Sequence, residues 1–227
     1  MRLHFVVEGQ TEETFVRNLL APELGAQGIY CDAHRVTTGR RSGKVFRGGL
    51  VSFVHLRRDL ELWMKQDRAS DSWFTTMVDL YRLPSDFPSM AESRRIVDPM
   101  KKVELLEQSF ASNINHPHFV AYVQLHEFEA LLFSDPKSFS IAFPGIGAKV
   151  AKLQAIRSEF ETPEHIDERE DHAPSKQILR ILPEYDKPVS GPLIAKQIGL
   201  AKLRQECHHF DTWLTRLEES GKAAAGC

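Results

Sequence analysis

The sequence predicts an α/β chain, a parallel sheet with helical crossovers capped by a mainly helical region. Three observations carry that expectation. Over the first part of the chain, short apolar runs alternate with helix-spaced segments, the pattern that right-handed crossovers between parallel strands produce. The second part is mostly helical, with apolar residues recurring at three- and four-residue spacing. Composition supports a core, since 42% of the 227 residues are hydrophobic and 26% are charged, ordinary values for a globular protein. The expected division is an α/β core over 1–140 and a helical region over 141–227, packed together as one folded unit.

The elements follow in order. Residues 3–7 form a short, mainly apolar run that includes β-branched residues, and it stops at Glu8 and Gly9. Thr11-Glu12-Glu13-Thr14 then opens a helix, with Thr11 as the expected cap and the acids complementing the helix dipole. Phe15, Leu19 and Leu20 share its inner face, and Pro22 stands near its end. A second strand is expected over 29–36. The stretch 37–49, TTGRRSGKVFRGG, is rich in glycine and base and is expected to be a surface loop. Helical spacing returns over 51–66 through Phe53, Leu56, Leu60 and Trp63. A third strand over 73–78 ends in Asp79, and the prolines of 81–88 exclude a regular element there. A helix is expected over 99–110, then a fourth strand over 119–125 that runs straight into His126-Glu127-Phe128-Glu129. Further helices are expected over 146–160, 175–182 and 200–219, with a frayed tail over 221–227.

Charge and cysteine usage exclude several classes. The net charge is −2, so any nucleic-acid site has to be a local patch rather than a global basic footprint. The three cysteines, Cys31, Cys207 and Cys227, show no CxxC spacing; a disulfide framework and a zinc ribbon are not expected. No apolar run approaches the roughly 18 to 20 residues of a membrane span. The first seven residues are too short for a signal h-region. A cytosolic (cytoplasmic) protein without a membrane association is the expectation.

The chemistry concentrates in acids at strand ends. Glu8 follows the first strand, Asp79 the third, and Glu127 with Glu129 the fourth. In an open parallel sheet, ligands bind outside the carboxyl ends of the strands. Adjacent strands would therefore bring three acidic positions to one edge, where mutual repulsion requires protons, basic partners or cations. Hard oxygen donors of this kind suit Mg²⁺ or Mn²⁺. Each acid also has an ordinary explanation as a polar loop residue or a helix cap. Glu12 and Glu13 read first as dipole partners, although Glu12 can reach the same edge. Glu127 and Glu129 are two apart and do not share a helix face, so one of them is expected to turn inward. His126 is read as a hydrogen-bonded structural residue, with a role in orienting a carboxylate or a metal as the alternative.

The blocks VEGQTEE (7–13), VDLYRLPSDFP (78–88), HEFEALLFSD (126–135), HAPSKQI (172–178) and GLAKLRQECHHFDTWLTRL (199–217) together resemble a bacterial family of uncharacterised TOPRIM-like proteins. That family falls within the superfamily of TOPRIM domains and overcoming-lysogenization-defect nucleases. The resemblance spans nearly the whole chain. It implies a TOPRIM-like parallel sheet flanked by helices, holding divalent metal for phosphodiester chemistry. Glu8 takes the place of the glutamate after the first strand, and Asp79 the first position of the Asp-x-Asp motif. Tyr81 stands at the second position, so one expected carboxylate is missing; Asp86, Glu127 or Glu129 would replace it, the last two preferred because they follow a strand directly. The resemblance also implies a phage-defence effector acting beside an ABC- or AAA-type ATPase. With no Walker motif in these residues, the ATPase would be a separate partner, a pairing that co-purification under native expression tests.

Two basic features bear on the substrate. Arg40, Arg41, Lys44 and Arg47 lie among four glycines in 37–49, a candidate phosphate contact of DNA or RNA, with a plain solvated loop as the alternative. Lys176 falls in the first turn of a helix, where a cation opposes the dipole, and can offset charge developing on a phosphate. Lys187, Arg204, His208 and His209 are further candidates for a substrate face. Cys207-His208-His209 is not read as a zinc site, since adjacent helical residues diverge by about 100°. The leading reading is a Mg²⁺- or Mn²⁺-dependent nuclease with Glu8, Asp79, Glu127 or Glu129 and Lys176 at its centre. The alternatives are a catalytically inactive TOPRIM-like interaction subunit, and last a phosphotransferase or phosphatase.

Overall fold

This computed structural model describes residues 1–41, 44–47, 50–166 and 172–225. β1 (Arg2–Val7) leads into α1 (Gln10–Phe15), a π-helical turn over Val16–Leu20, and α2 (Ala21–Gly25), and the chain returns as β2 (Tyr30–Arg35). A hairpin of β3 (Thr37–Arg41) and β4 (Lys44–Arg47) precedes α3 (Phe53–Gln66). β5 (Ser72–Asp79), a 3-10 turn over Leu80–Arg82, α4 (Met90–Ser93) and α5 (Pro99–Ile114) follow. β6 (Phe119–Val120) and β7 (Val123–Gln124) form the fourth strand in two pieces. Beyond α6 (Glu129–Leu132), the long elements are all helices: α7 (Gly147–Ser158), α8 (Pro174–Ile181), α9 (Lys187–Ile198), α10 (Leu200–Glu206) and α11 (His208–Ala225).

The main sheet has the order β2-β1-β5-β6, with β7 paired to the far half of β5. Every pairing in it is parallel. The chain is thus α/β, with a parallel sheet flanked by helices, in keeping with a TOPRIM-like fold. Alternation along β1 separates two cores. Leu3, Phe5 and Val7 face α1, the π-helical turn and α2 through Phe15, Leu20 and Leu24, and also meet Phe210, Trp213 and Leu214 of α11. Val6, Phe74 and Val78 face α3 and α5 through Leu56, Leu60, Val103, Leu106 and Phe110. The first crossover therefore covers one face and the next two cover the other. That reversal falls between β1 and β5, the position at which open α/β sheets form a crevice. Among the described residues, no helix is long and apolar enough to cross a membrane.

Four expectations are corrected. The stretch 37–49 contains an antiparallel hairpin, pairing Thr37 with Arg47 and Arg40 with Val45; Asp59 of α3 anchors its base by accepting the Thr37 N–H. The cap of α1 is Gly9 rather than Thr11. The fourth strand is interrupted at Ala121 and Tyr122, where Thr75 and Thr76 hydroxyls donate to the carbonyls of Val120 (2.7 Å) and Tyr122 (2.9 Å) in place of a ladder. Finally, 200–219 is two helices. The carboxylate of Glu164 accepts the His209 and Phe210 N–H groups at 2.9 and 3.0 Å, so it caps α11 from another part of the chain.

Candidate metal centre

The carboxyl ends of β1 and β5 open on one crevice, and the acids there hold one another in place through backbone groups. Glu8 continues the ladder by donating its N–H to Met77 O (3.1 Å). Its Oε2 accepts the Asp79 N–H at 3.2 Å. Beyond β7 the chain turns sharply at His126, whose φ of 59° is uncommon for a residue other than glycine. This turn lets the Phe128 N–H reach Asp79 Oδ1 (3.0 Å) and the His126 carbonyl accept the Tyr81 N–H (3.2 Å). Glu12 folds back over the start of α1 and accepts the Gly9 N–H at 2.9 Å.

Helix α9 closes the crevice. Lys187, its first residue, places Nζ 2.9 Å from Glu129 Oε2 and 3.4 Å from Asp79 Oδ2. The Tyr185 hydroxyl donates to Glu129 Oε1 at 3.2 Å. Gly191 permits this approach, because a Cβ there would lie 2.9 Å from the Tyr185 hydroxyl and 3.1 Å from the Phe128 ring. Glu127 turns the other way, to the start of α8, where Oε1 accepts the Ser175 N–H at 2.9 Å.

Glu8, Glu12, Asp79 and Glu129 are all buried, whereas the Lys187 side chain is 34% exposed. Burial and the Asp79 charge push Glu8 up to about 7 and Glu12 up to about 8. Burial raises Glu129 to about 7 against the pull of Lys187, and raises Glu127 as well. Burial disfavours the Lys187 charge, yet Asp79, Glu129 and Glu12 outweigh it and hold the ammonium protonated beyond the usual lysine range. No three of these carboxylates bring an oxygen each within 4.8 Å of one another; the lysine ammonium stands between two of them.

A stability profile follows from those directions. A carboxyl group raised on folding contributes stability fully below its unfolded value and loses it as pH climbs through the folded one. The metal-free protein is therefore expected to lose stability from about pH 5 to about pH 8, as Glu8, Glu129 and Glu12 ionise in turn. His4 and His209, both raised by carboxylate partners after burial opposes them, add loss of the same sign. Urea midpoints across that range, for wild type and Glu12→Gln, separate the shares. The variant should flatten the slope, and an unchanged slope would remove Glu12 from the account.

The chain matches the family described as "Domain of unknown function (DUF4276)" over residues 7–218. It belongs to that family. No protein of curated function matches the DUF4276 chain. Among solved structures it is similar to the C-terminal region of the Xanthomonas campestris pv. campestris OLD protein, at 16% identity over 96% of both chains and a TM-score of 0.42. It is also similar to the C-terminal region of the Burkholderia pseudomallei OLD protein, at 11% identity over 95% of this chain and 98% of that one, with a TM-score of 0.45.

Of the sequence-predicted residues, the DUF4276 chain brings Glu8, Asp79 and Glu129 into one crevice, with Glu127 at its border. Glu12, read first as a dipole partner, both caps α1 and joins the cluster. Lys187, one of several substrate-face candidates, is the cation at its centre. Its signal lay in Asp186-Lys187-Pro188, a helix start with proline in the first turn. Lys176 is exposed in the first turn of α8, beside the Ser175 that holds Glu127. Asp86 takes no part as a substitute acid, because it accepts from the Ser52 hydroxyl (2.6 Å) and the Phe53 N–H (2.9 Å) at the start of α3. Tyr81 is half-exposed, its ring 5.3 Å from that of His126. Arg204 is committed to Asp211 and Glu218, and His209 stacks on Tyr122 with Nε2 3.0 Å from Glu107. Neither lines the crevice. The side chains of Arg40, Arg41, Lys44 and Arg47 lie outside the described residues.

Proposed function

We propose that the chain is a Mg²⁺- or Mn²⁺-dependent nuclease that hydrolyses nucleic-acid phosphodiesters. The observation that carries this reading is the set of buried carboxyl groups at the sheet's switch point, which once ionised carry more negative charge than Lys187 neutralises. The donor set fits a hard divalent ion, and the ammonium bridging Asp79 and Glu129 marks where positive charge is accepted. Glu8, Glu12, Asp79 and Glu129 would hold the ion, with Glu127 at the rim. When bound, such an ion polarises a phosphate oxygen and lowers the pKa of its water.

The protein's own groups supply orientation and charge. The N–H groups of Asp79, Gly9 and Phe128 fix the carboxylates of Glu8, Glu12 and Asp79 without side-chain mobility. Tyr185 holds Glu129, leaving its second oxygen to the ammonium. Lys187, protonated and partly open to solvent, can meet a phosphate oxygen and stabilise the charge that develops on it. Lys176 is the second candidate for that role. The hairpin of Arg40, Arg41, Lys44 and Arg47 leaves the carboxyl end of β2, the edge on which Glu8 stands, where it would contact the backbone of DNA or RNA.

Glu8→Gln tests the reading, because glutamine still accepts the Asp79 N–H and the fold is retained. Calorimetric Mn²⁺ titration should show affinity weakened by at least about tenfold, with cleavage of single- and double-stranded DNA and RNA lost. Undiminished cleavage in the variant would refute the assignment. A wild type that neither binds Mn²⁺ nor cleaves would favour the second reading, an inactive interaction subunit, which Tyr81 at the second Asp-x-Asp position supports.

A further inference from the structure

We infer that His4, Asp32 and His34 form a second metal site, separate from the carboxylate centre, that takes one zinc-class divalent ion through two imidazoles and a carboxylate. Pairing of β1 with β2 places His4 opposite Asp32 and Val6 opposite His34. Period-two alternation then puts all three side chains on one face of the sheet. One oxygen, Asp32 Oδ1, lies 2.9 Å from His4 Nδ1 and 3.2 Å from His34 Nε2. The three donor atoms all lie within 4.8 Å of one another, the one such group among the described residues. The His34 Nε2 is buried, and its 3.2 Å contact with Asp32 Oδ1 falls outside hydrogen-bond geometry. A metal drawing on both ring nitrogens and the carboxylate would satisfy it.

The surroundings are those of a metal-binding histidine. Asp67 Oδ2 stands 2.9 Å from His4 Nε2, on the far side of the ring, the placement that fixes the tautomer and orientation of a ligating imidazole. Arg2 holds the other Asp67 oxygen at 3.1 Å. Trp63 stacks on His34 with ring centroids 3.5 Å apart, and Phe74 stacks on His4 at 5.2 Å, so both ring planes are set by packing. Asp32 is half-exposed at the sheet edge, which leaves the remaining coordination position open to water. Imidazole nitrogens select zinc, nickel or cobalt over magnesium. This donor set is therefore chemically distinct from the all-oxygen crevice at the carboxyl ends of the strands.

The test silences that crevice first. In the Glu8→Gln/Asp79→Asn variant of the whole 227-residue chain, Zn²⁺ titration should give one site per chain that excess Mg²⁺ does not displace. Co²⁺ should give visible absorption with imidazole ligation. Adding His34→Ala or Asp32→Ala, both partly exposed positions, should weaken Zn²⁺ binding by at least about tenfold and abolish the cobalt spectrum; Asp67→Asn should weaken it by about ten- to a hundredfold. Far-UV circular dichroism reports the fold in each case. Zn²⁺ affinity unchanged by both His34→Ala and Asp32→Ala, or no micromolar site in the parent, overturns the assignment and leaves the nuclease reading untouched.

Discussion

Asp79→Asn is expected to abolish divalent-metal binding and cleavage together while the protein stays folded. Asp79 joins every part of the crevice: its N–H holds Glu8, its Oδ1 takes the Phe128 N–H, and its Oδ2 faces Lys187. Asparagine can keep the first two contacts and loses the charge. Mn²⁺ affinity should fall by about a hundredfold, and cleavage by about 10²–10³-fold, the scale of removing a central electrostatic group. Stability should change by no more than about 1 kcal/mol. Two effects oppose each other there: the contact with Lys187 is lost, but Glu8 and Glu12, both raised by the Asp79 charge, are relieved. Calorimetry, single-turnover cleavage and urea unfolding read the three quantities. Retained metal affinity would show that Asp79 serves structure only.

Lys187→Met should separate the two roles of the ammonium. It leaves Glu129, fully buried, with the Tyr185 hydroxyl as its one remaining partner among the described residues, and removes the cation facing Asp79. Breaking a fully buried ion pair costs roughly 3–5 kcal/mol; with the lysine partly exposed, about 2–3 kcal/mol is expected at pH 8. The loss should shrink towards pH 5, where Glu129 takes up a proton. Because the ammonium stands where a metal would draw the carboxylates together, Mn²⁺ affinity should rise by about tenfold, by relief of like-charge repulsion. Cleavage should fall, since the cation for the phosphate is gone. Weaker Mn²⁺ binding in this variant would show that Lys187 orders the ligands rather than competing with the ion.

The elements that frame the centre were legible because their signals are local. A strand such as 3–7 declares itself by a mainly apolar run with β-branched residues that stops at an acid, and so Glu8 and Asp79 could each be placed at the carboxyl end of a strand before any pairing was known. Helix α9 was not among the expected elements, and it holds Gly191 and Pro192 in its interior, two residues of low helix propensity. Proline removes one helical hydrogen bond. The glycine is required by contacts with Tyr185 and Phe128, and Phe128 is distant in sequence. The break before α11 was hidden for a related reason, since its cap, Glu164, lies 45 residues before His209. Heptad-like spacing through 200–219 carries no trace of it.

The order of residues along the chain was therefore enough to determine the α/β class, the alternation that makes two-sided strands, and the acids at strand ends. All of these depend on periodicities of two and 3.6 residues and on what stops them. Only the tertiary structure decided which acids share a crevice, that Lys187 is their cation, and that His4 meets His34. Those outcomes depend on which strands become neighbours and how closely helices approach, through contacts between residues far apart in the chain, and no local pattern records them.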